Sequence, residues 1–164
     1  MKRLLIALLV VLPTTLFAQK FGHFNSADII PAMPEYTAAQ AEVQNASQQY
    51  EDELKKMQEE LQTKYEDYQQ NSATMVDAVR QRREAELQDL QTRLQEYYTN
   101  SQQELQQLQQ TKLQAITDRI TKAVKEIGDA GGYVYIMDIS GGIPYISTTL
   151  STDVTSQLRT KLGI

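Results

Sequence analysis

The chain has no cysteine, no tryptophan and a single histidine, His23, among its 164 residues. Without cysteine there is no disulfide and no thiolate chemistry, so an exported form must hold together by packing or by assembly. One imidazole falls short of a zinc site, which takes several protein ligands, and in a predicted strand His23 reads as a packed or surface residue. The carboxylate run Glu51-Asp52-Glu53 lies where consecutive helical side chains point in different directions, so it describes a solvated face and not an acid-base pair. Gly128-Asp129-Ala130-Gly131-Gly132 lacks the Lys-Ser/Thr of a phosphate loop, and Ser140-Gly141-Gly142 lacks the glycine spacing of a hydrolase nucleophile elbow. Catalytic residues, cofactor-binding residues and metal ligands are therefore all predicted to be absent, and the chain is not expected to be an enzyme.

Long apolar runs are equally scarce. The one candidate, Leu4 to Leu12, follows Lys2 and Arg3 and is interrupted by Pro13, Thr14 and Thr15, well short of the roughly 20 residues that a membrane-spanning helix needs. Its layout is that of a secretory signal over residues 1–18, with cleavage expected after Ala18. The mature chain is then exported, in a Gram-negative cell to the periplasm. Without Lys2 and Arg3, 14 basic groups face 21 acidic ones, a net charge of −7. Nucleic-acid binders are normally basic, so no nucleic-acid partner is expected.

Glycine and proline are missing from Glu35 to Ile127, a stretch of 93 residues dominated by Gln, Glu, Lys, Arg, Leu and Ala. These are strong helix formers. Apolar positions recur at steps of three and four through Tyr36, Ala39, Val43, Ala46, Tyr50, Leu54, Met57, Leu61, Tyr65 and Tyr68, the pattern of a coiled-coil seam. A second seam runs through Leu87, Leu90, Leu94, Tyr97 or Tyr98, Leu105, Leu108, Ile116, Ile120, Val124 and Ile127, with a polar gap at Ser101 and a phase slip near Lys112. Between them, Gln70 to Met75 reads as the tip of a helical hairpin, where Thr74 stands three residues before Asp77 as in a capping box. One continuous helix of roughly 140 Å is the alternative. Pro34 suits the first helical position, and Gly128 the C-terminal stop after Lys122 and Lys125.

The flanks differ in character. Phe21 to Asn25, Tyr133 to Ile139 and Ile143 to Thr148 are aromatic and β-branched and read as three short strands, the last two joined through Ser140-Gly141-Gly142 as a β-hairpin. Ser151, Thr152 and Asp153 are candidate caps for a terminal helix carrying Val154, Leu158 and Leu162. The fold class that follows is α+β: an antiparallel coiled-coil arm over residues 34–128, with its tip near 70–76, on a three-stranded body from residues 19–33 and 129–164 with a short C-terminal helix. So small a sheet cannot cover its own apolar surface. Phe21, Phe24, Tyr133, Tyr135, Met137, Ile139, Ile143 and Tyr145 are the candidate residues of an oligomeric body.

What remains are surfaces. Tyr50, Tyr65, Tyr68, Tyr97 and Tyr98, with Met57 and Met75, sit at or near the seams. They either pack the two helices together or present adaptable, low-specificity contacts to a partner chain. Arg80, Arg82 and Arg83, followed by Glu84 and Glu86, read as local ion pairs.

The order of elements resembles the Skp (OmpH) family of periplasmic chaperones over essentially the whole mature chain. The most specific likeness lies in Ile116-Thr117-Asp118-Arg119-Ile120 to Ala123-Val124-Lys125, the strand ending at Asp138, the Tyr145 segment, Asp153-Val154-Thr155, and Phe24-Asn25-Ser26 near the start. This resemblance implies the hairpin and not the single helix. It also implies a homotrimer whose arms enclose unfolded outer-membrane β-barrel proteins, held without ATP, and the seven arm tyrosines and methionines then become candidate client contacts. In one respect the chain departs from the pattern: the best-known members are basic, whereas Glu35 to Gln70 carries nine acids against three bases. No lipopolysaccharide site is carried over. The competing function is an exported structural tether or adaptor that recognises one specific partner.

Overall fold

A computed structural model describes residues 19–164. The expected signal segment, residues 1–18, lies outside the described residues. The elements in order are strand β1 (Lys20–Phe24), a one-turn helix α1 (Ser26–Ile29) continued by a 3-10 turn (Ile30–Ala32), helix α2 (Pro34–Asn71), a 3-10 turn (Ser72–Thr74), helix α3 (Asp77–Gly131), strands β2 (Tyr133–Asp138) and β3 (Ser151–Asp153), and helix α4 (Thr155–Leu162).

Helix α2 opens with Pro34 in its first turn and Glu35 beside it, where the missing N–H costs nothing and the negative charge meets the positive helix end. With 38 and 55 residues, α2 and α3 extend for about 57 and 82 Å at 1.5 Å per residue. They form an antiparallel hairpin: Glu35 pairs with Arg119 at the root, Glu42 with Lys112 further out, and Lys64 with Glu86 near the tip. The tip is the turn at Ser72–Thr74. The capping box does not form there. Thr74 Oγ1 instead donates to the Asn71 carbonyl at 2.9 Å, and α3 starts after Val76 with no side-chain cap.

Helix α3 also ends later than its glycines suggest. It runs through Gly128 to Gly131 and stops at Gly132, whose φ of 66° is the left-handed value that glycine tolerates best. The Lys125–Asp129 pair at 2.8 Å supports this extra turn. Nothing close opposes a Cβ at Gly128, whose nearest such neighbour would be Ile136 Cδ1 at an ordinary 3.7 Å.

The sheet order is β2-β1-β3, with both neighbours parallel to the central β1. The expected hairpin is therefore absent. Ile143 to Thr148 forms no strand, and the third strand is Ser151–Asp153, read from sequence as helix caps. Two parallel strands cannot be joined by a tight turn, so the chain after β2 turns at Gly142, whose amide donates to the Ile139 carbonyl at 3.1 Å, and travels back across the sheet. Pro144 has no N–H to give a ladder. Asp153 still serves the helix start, accepting from the Thr155 amide at 2.8 Å.

The core lies on one face of the sheet. Phe24 joins Ile29, Met33, Ala39, Ile116, Ile120, Ala123 and Ile127, with Val154, Leu158 and Leu162 from the C-terminal segment. Gly22 makes a close approach where β1 meets this layer: a Cβ would stand 3.1 Å from both Ile136 and the Tyr133 ring, so these side chains would have to shift. Helix α4 is pinned from several sides: Arg119 donates to the Leu162 carbonyl at 2.8 Å, Lys161 pairs with Glu126 at 2.7 Å, and Arg159 reaches the Asp28 carbonyl at 3.5 Å. At the other end of the sheet, Asp138 Oδ1 accepts from the Ser26 and Ser140 amides at 3.1 and 3.0 Å, while the two serine hydroxyls meet at 2.8 Å.

Leu158 is fully buried, so Leu158→Ala is expected to cost about 2–5 kcal/mol of unfolding free energy in a urea titration, the range for large-to-small core changes. Asp138 gives a pH signature. Burial alone would raise its carboxyl, but the hydrogen bonds from Ser26 and Ser140 outweigh it and hold the group below the usual carboxylate range. A depressed folded value stabilises above the unfolded pKa and loses that effect as pH falls through the folded one. Asp138→Asn should thus be less stable than the parent near pH 7, with the gap closing below about pH 4; a gap that stays constant with pH would refute this.

Candidate functional site

The arm seam is regular once its polar members are counted. On α2, the half-buried or buried positions run Ala39, Val43, Ala46, Tyr50, Leu54, Met57, Leu61, Lys64 and Tyr68. Tyr65, counted in the seam from sequence, is 46% exposed, and Lys64 takes the inward place. Its aliphatic stem can lie along the seam while the ammonium meets Glu86 at 2.6 Å. That pair holds the Glu86 carboxyl below its ordinary range. On α3 the line includes Leu90, Leu94, Tyr97, Ser101, Leu105, Leu108 and Lys112. The polar gap at Ser101 is in fact a buried seam position: its hydroxyl donates to the Tyr98 carbonyl at 2.9 Å, and a small side chain lets the helices approach. Lys112 reaches Glu42 across the seam at 2.6 Å, which carries the periodicity through the apparent phase slip.

These placements divide the tyrosines. Tyr50 donates to Glu104 and Tyr68 to Glu84, each across the hairpin, and Tyr50 meets Tyr97 edge-on with ring centroids 6.2 Å apart. Hydrogen bonds to these carboxylates raise the Tyr50 and Tyr68 pKa values, because ionisation would set two negative charges against each other; desolvation raises that of Tyr97. Tyr65 and Tyr98 stand outside, 46% and 50% exposed. Met57 and Met75 are half-buried. Of the Arg cluster, Arg80 pairs with Asp77 and Arg83 with Glu86, both local.

Nearer the root, a groove of about 600 Å³ opens between Tyr36, Ala39 and Val43 on α2 and Gln109, Lys112 and Leu113 on α3. Leu113 is exposed here and was not singled out from sequence. Lys112 occupies the seam position beside it, so spacing could have shown that Leu113 faces outward.

The body residues also divide. Phe24 is buried in the core and Tyr133 packs against it, with the Lys20 ammonium 4.2 Å from the Tyr133 ring centroid. Ile139 is half-buried, and its amide donates to the Phe24 carbonyl at 2.9 Å. Phe21 and Tyr135 stack at 4.7 Å on the opposite face, where they line a cleft of about 300 Å³ with His23, Met137, Ile143, Tyr145, Ile146 and Leu150. Tyr145 and Leu150 are 80% and 73% exposed. Among the described residues no helix covers this face. Leu150 was missed from sequence because its neighbours read as polar caps.

Among the described residues no group of three or more His, Cys, Asp or Glu side chains is arranged to hold a metal ion, and no helix is long and apolar enough to cross a membrane. What the arrangement offers is surface: an apolar sheet face and a polar arm with scattered exposed rings. Replacing Tyr50, Tyr68 and Tyr97 together by serine should lower the helix content and melting temperature of the free protein, read by circular dichroism. The pair Tyr65→Ser and Tyr98→Ser should leave both nearly unchanged, and equal losses in the two variants would contradict the division.

No curated protein matches the chain. A crystal structure from Caulobacter crescentus CB15, provisionally described as an OmpH-like outer membrane chaperone, matches with a TM-score of 0.73 and 16% identity over 88% of this chain and 83% of that one. At that identity the likeness establishes a shared fold. The sequence profile of OmpH-like outer membrane proteins matches residues 20–162. With nearly the whole chain covered, from the start of β1 to the end of α4, this protein belongs to the OmpH-like outer membrane protein family.

Proposed function

We propose that the protein is an ATP-independent holdase chaperone of the periplasm, reached after signal cleavage near Ala18, which assembles as a homotrimer and shelters unfolded outer-membrane β-barrel proteins between its arms. The observation that carries the reading is the pairing of an apolar sheet face that the returning segment covers only in part with an arm whose interior is one seam wide. The sheet face needs a cover, since patches of this kind on a lone body are association sites. Two further copies of the chain are the cover assigned here, with Phe21, Tyr135, Met137, Ile143 and Tyr145 at the contact. Family membership and the description of the Caulobacter protein support the chaperone role.

The arm suits loose capture. Tyr65, Tyr98 and Leu113 are exposed apolar or amphipathic side chains set among glutamines and carboxylates. They offer adaptable contact without a shaped pocket. The half-buried Tyr50, Met57, Tyr68, Met75 and Tyr97 contribute mainly by holding the hairpin in shape.

Purified mature protein should sediment as a trimer at micromolar concentration, with a melting temperature that rises with concentration. It should suppress aggregation of several unrelated outer-membrane barrels diluted from denaturant, without nucleotide, and Tyr65→Ser with Tyr98→Ser should weaken that activity while leaving assembly intact. A folded monomer, or recognition of one folded partner and no unfolded barrel, would overturn the proposal in favour of a tether.

A further inference from the structure

Two hollows on one face of the arm run into each other. The groove near the root, about 600 Å³, shares Val43, Ser47 and Gln109 with a second of about 350 Å³ further out, which adds Gln102, Leu105 and Gln106. Together they extend from Tyr36 and Leu113 to Ser47 and Gln102, about 17 Å along the hairpin, the span of about five residues of extended chain. Ala39, Val43 and Leu105, buried or half-buried in the seam, form the floor. Exposed glutamines form both walls, Gln40 and Gln44 on α2 and Gln102, Gln106 and Gln109 on α3.

The charges of this stretch are all engaged. Within residues 36–47 and 102–113 the charged side chains are Glu42, Glu104 and Lys112. Lys112 meets Glu42 at 2.6 Å, and Glu104 accepts from the Tyr50 hydroxyl, so each is tied within the hairpin. The acidic exterior resumes just beyond, at Glu51 and Asp52. The wall amides, by contrast, are unspent. Elsewhere on the arm Gln48, Gln62 and Gln114 each donate to a carboxylate one turn along. None of the five wall glutamines has an acidic residue three or four positions away, so no such neighbour competes for its amide.

We propose that this groove holds the main chain of an extended, uncharged segment of an unfolded client, with the wall amides bonding its N–H and C=O groups and the floor taking alternate apolar side chains. The proposal rests on the holdase reading above and locates one contact of it. A glutamine side chain both donates and accepts, as does every backbone residue other than proline. The rungs also match: Gln40 to Gln44 and Gln102 to Gln106 each rise about 6 Å along their helix, close to the two-residue repeat of about 6.6 Å after which an extended chain presents the same side. Strands of outer-membrane barrels alternate apolar and polar side chains over about ten residues. One side of such a strand can lie on Val43, Leu105 and Leu113 while the other stays in water. Bonds to the main chain ignore side-chain identity, which is what a holdase of many clients requires, and a charged ligand would find no free counter-charge among the described lining residues.

The probe is a fluorescently labelled, uncharged peptide of about ten residues alternating leucine and serine, titrated with mature protein and read by anisotropy. Gln44→Ala, Gln106→Ala and Gln109→Ala together remove wall amides at exposed helical positions, where alanine is the best helix former. Gln49→Ala, Gln107→Ala and Gln110→Ala, also exposed but outside the groove lining, form the control. The groove variant should bind the peptide about tenfold more weakly than the parent, the loss expected of one or two net hydrogen bonds, and the control should stay within about twofold. N-methylation of alternate peptide residues removes backbone donors and should weaken binding to the parent by a similar factor; this comparison decides alone if the groove variant fails to fold. Equal affinity of parent and groove variant, equal losses in groove variant and control, or undiminished binding of the methylated peptide overturns the proposal. A groove variant that keeps its peptide affinity but changes sedimentation overturns it too, making the groove a contact between copies. If the parent suppresses aggregation of unfolded barrels but does not bind the peptide, the groove is wrong and the holdase reading stands. If it suppresses none, that reading fails and the groove with it.

Discussion

Two helices packed side by side share one line of contact, and in this chain that line decides both how the arm stands and how it joins the body. Along the arm few positions are buried, among them Ala39, Leu90 and Ser101, so burial contributes less per residue than in a globular core. Interhelical polar contacts supplement it: Tyr50 to Glu104, Lys64 to Glu86, Tyr68 to Glu84, Lys112 to Glu42. Each such exposed pair contributes little.

At the root the same line widens into the core. Ile116, Ile120, Ala123 and Ile127, at steps of four and three, join Ala39 at the start of α2 to Met33, Ile29, Phe24 and α4 in one cluster. Arg119 marks the transition, bonded to Glu35 on α2 and to the Leu162 carbonyl at the end of α4. Arm and body therefore are not separable modules, since the helix that supplies the seam also supplies four of the eleven buried core residues. Among the described residues, the helices that pack on the sheet lie on that one side. The face bearing Phe21, Tyr135 and Met137 is left over as a geometric consequence, not as a local accident of sequence.

How much of this was readable follows from the kind of signal each part carries. Absence of glycine and proline, with a three-four rhythm, gave the helices and the approximate tip, because helix periodicity is local. The seam is legible except where polar residues enter it: hydrophobicity points to Tyr65 where spacing puts Lys64, and Ser101 looks like a gap because a buried serine satisfied by its own helix carries no apolar signature. The sheet was harder. Ile143 to Thr148 has strand-like composition, yet the ladder goes to Ser151–Asp153, whose polar side chains give no strand signal and whose place is given by its parallel register with Phe21, Gly22 and His23. The division of the tyrosines depended on single-residue phase around the helix, finer than composition can resolve.

Charge narrows how the arms can act. Nine acids and three bases lie between Glu35 and Gln70, while α3 between Asp77 and Gly131 is nearly balanced. Several α2 carboxylates pair within the hairpin, Glu35 and Glu42 across it and Glu53 and Glu59 along it, yet Glu51, Asp52 and Glu66 still add to an acidic exterior. In the proposed trimer three such exteriors face one another, and repulsion between them, acting over about 8 Å at physiological ionic strength, favours arms that stand apart when empty. The same screening keeps long-range attraction of a basic client weak. Affinity must then come from short-range contact at exposed rings and aliphatic groups such as Tyr65, Tyr98 and Leu113, so capture should survive moderate salt. The acidic exterior is thus better suited to spacing the arms and keeping them soluble than to choosing what they hold.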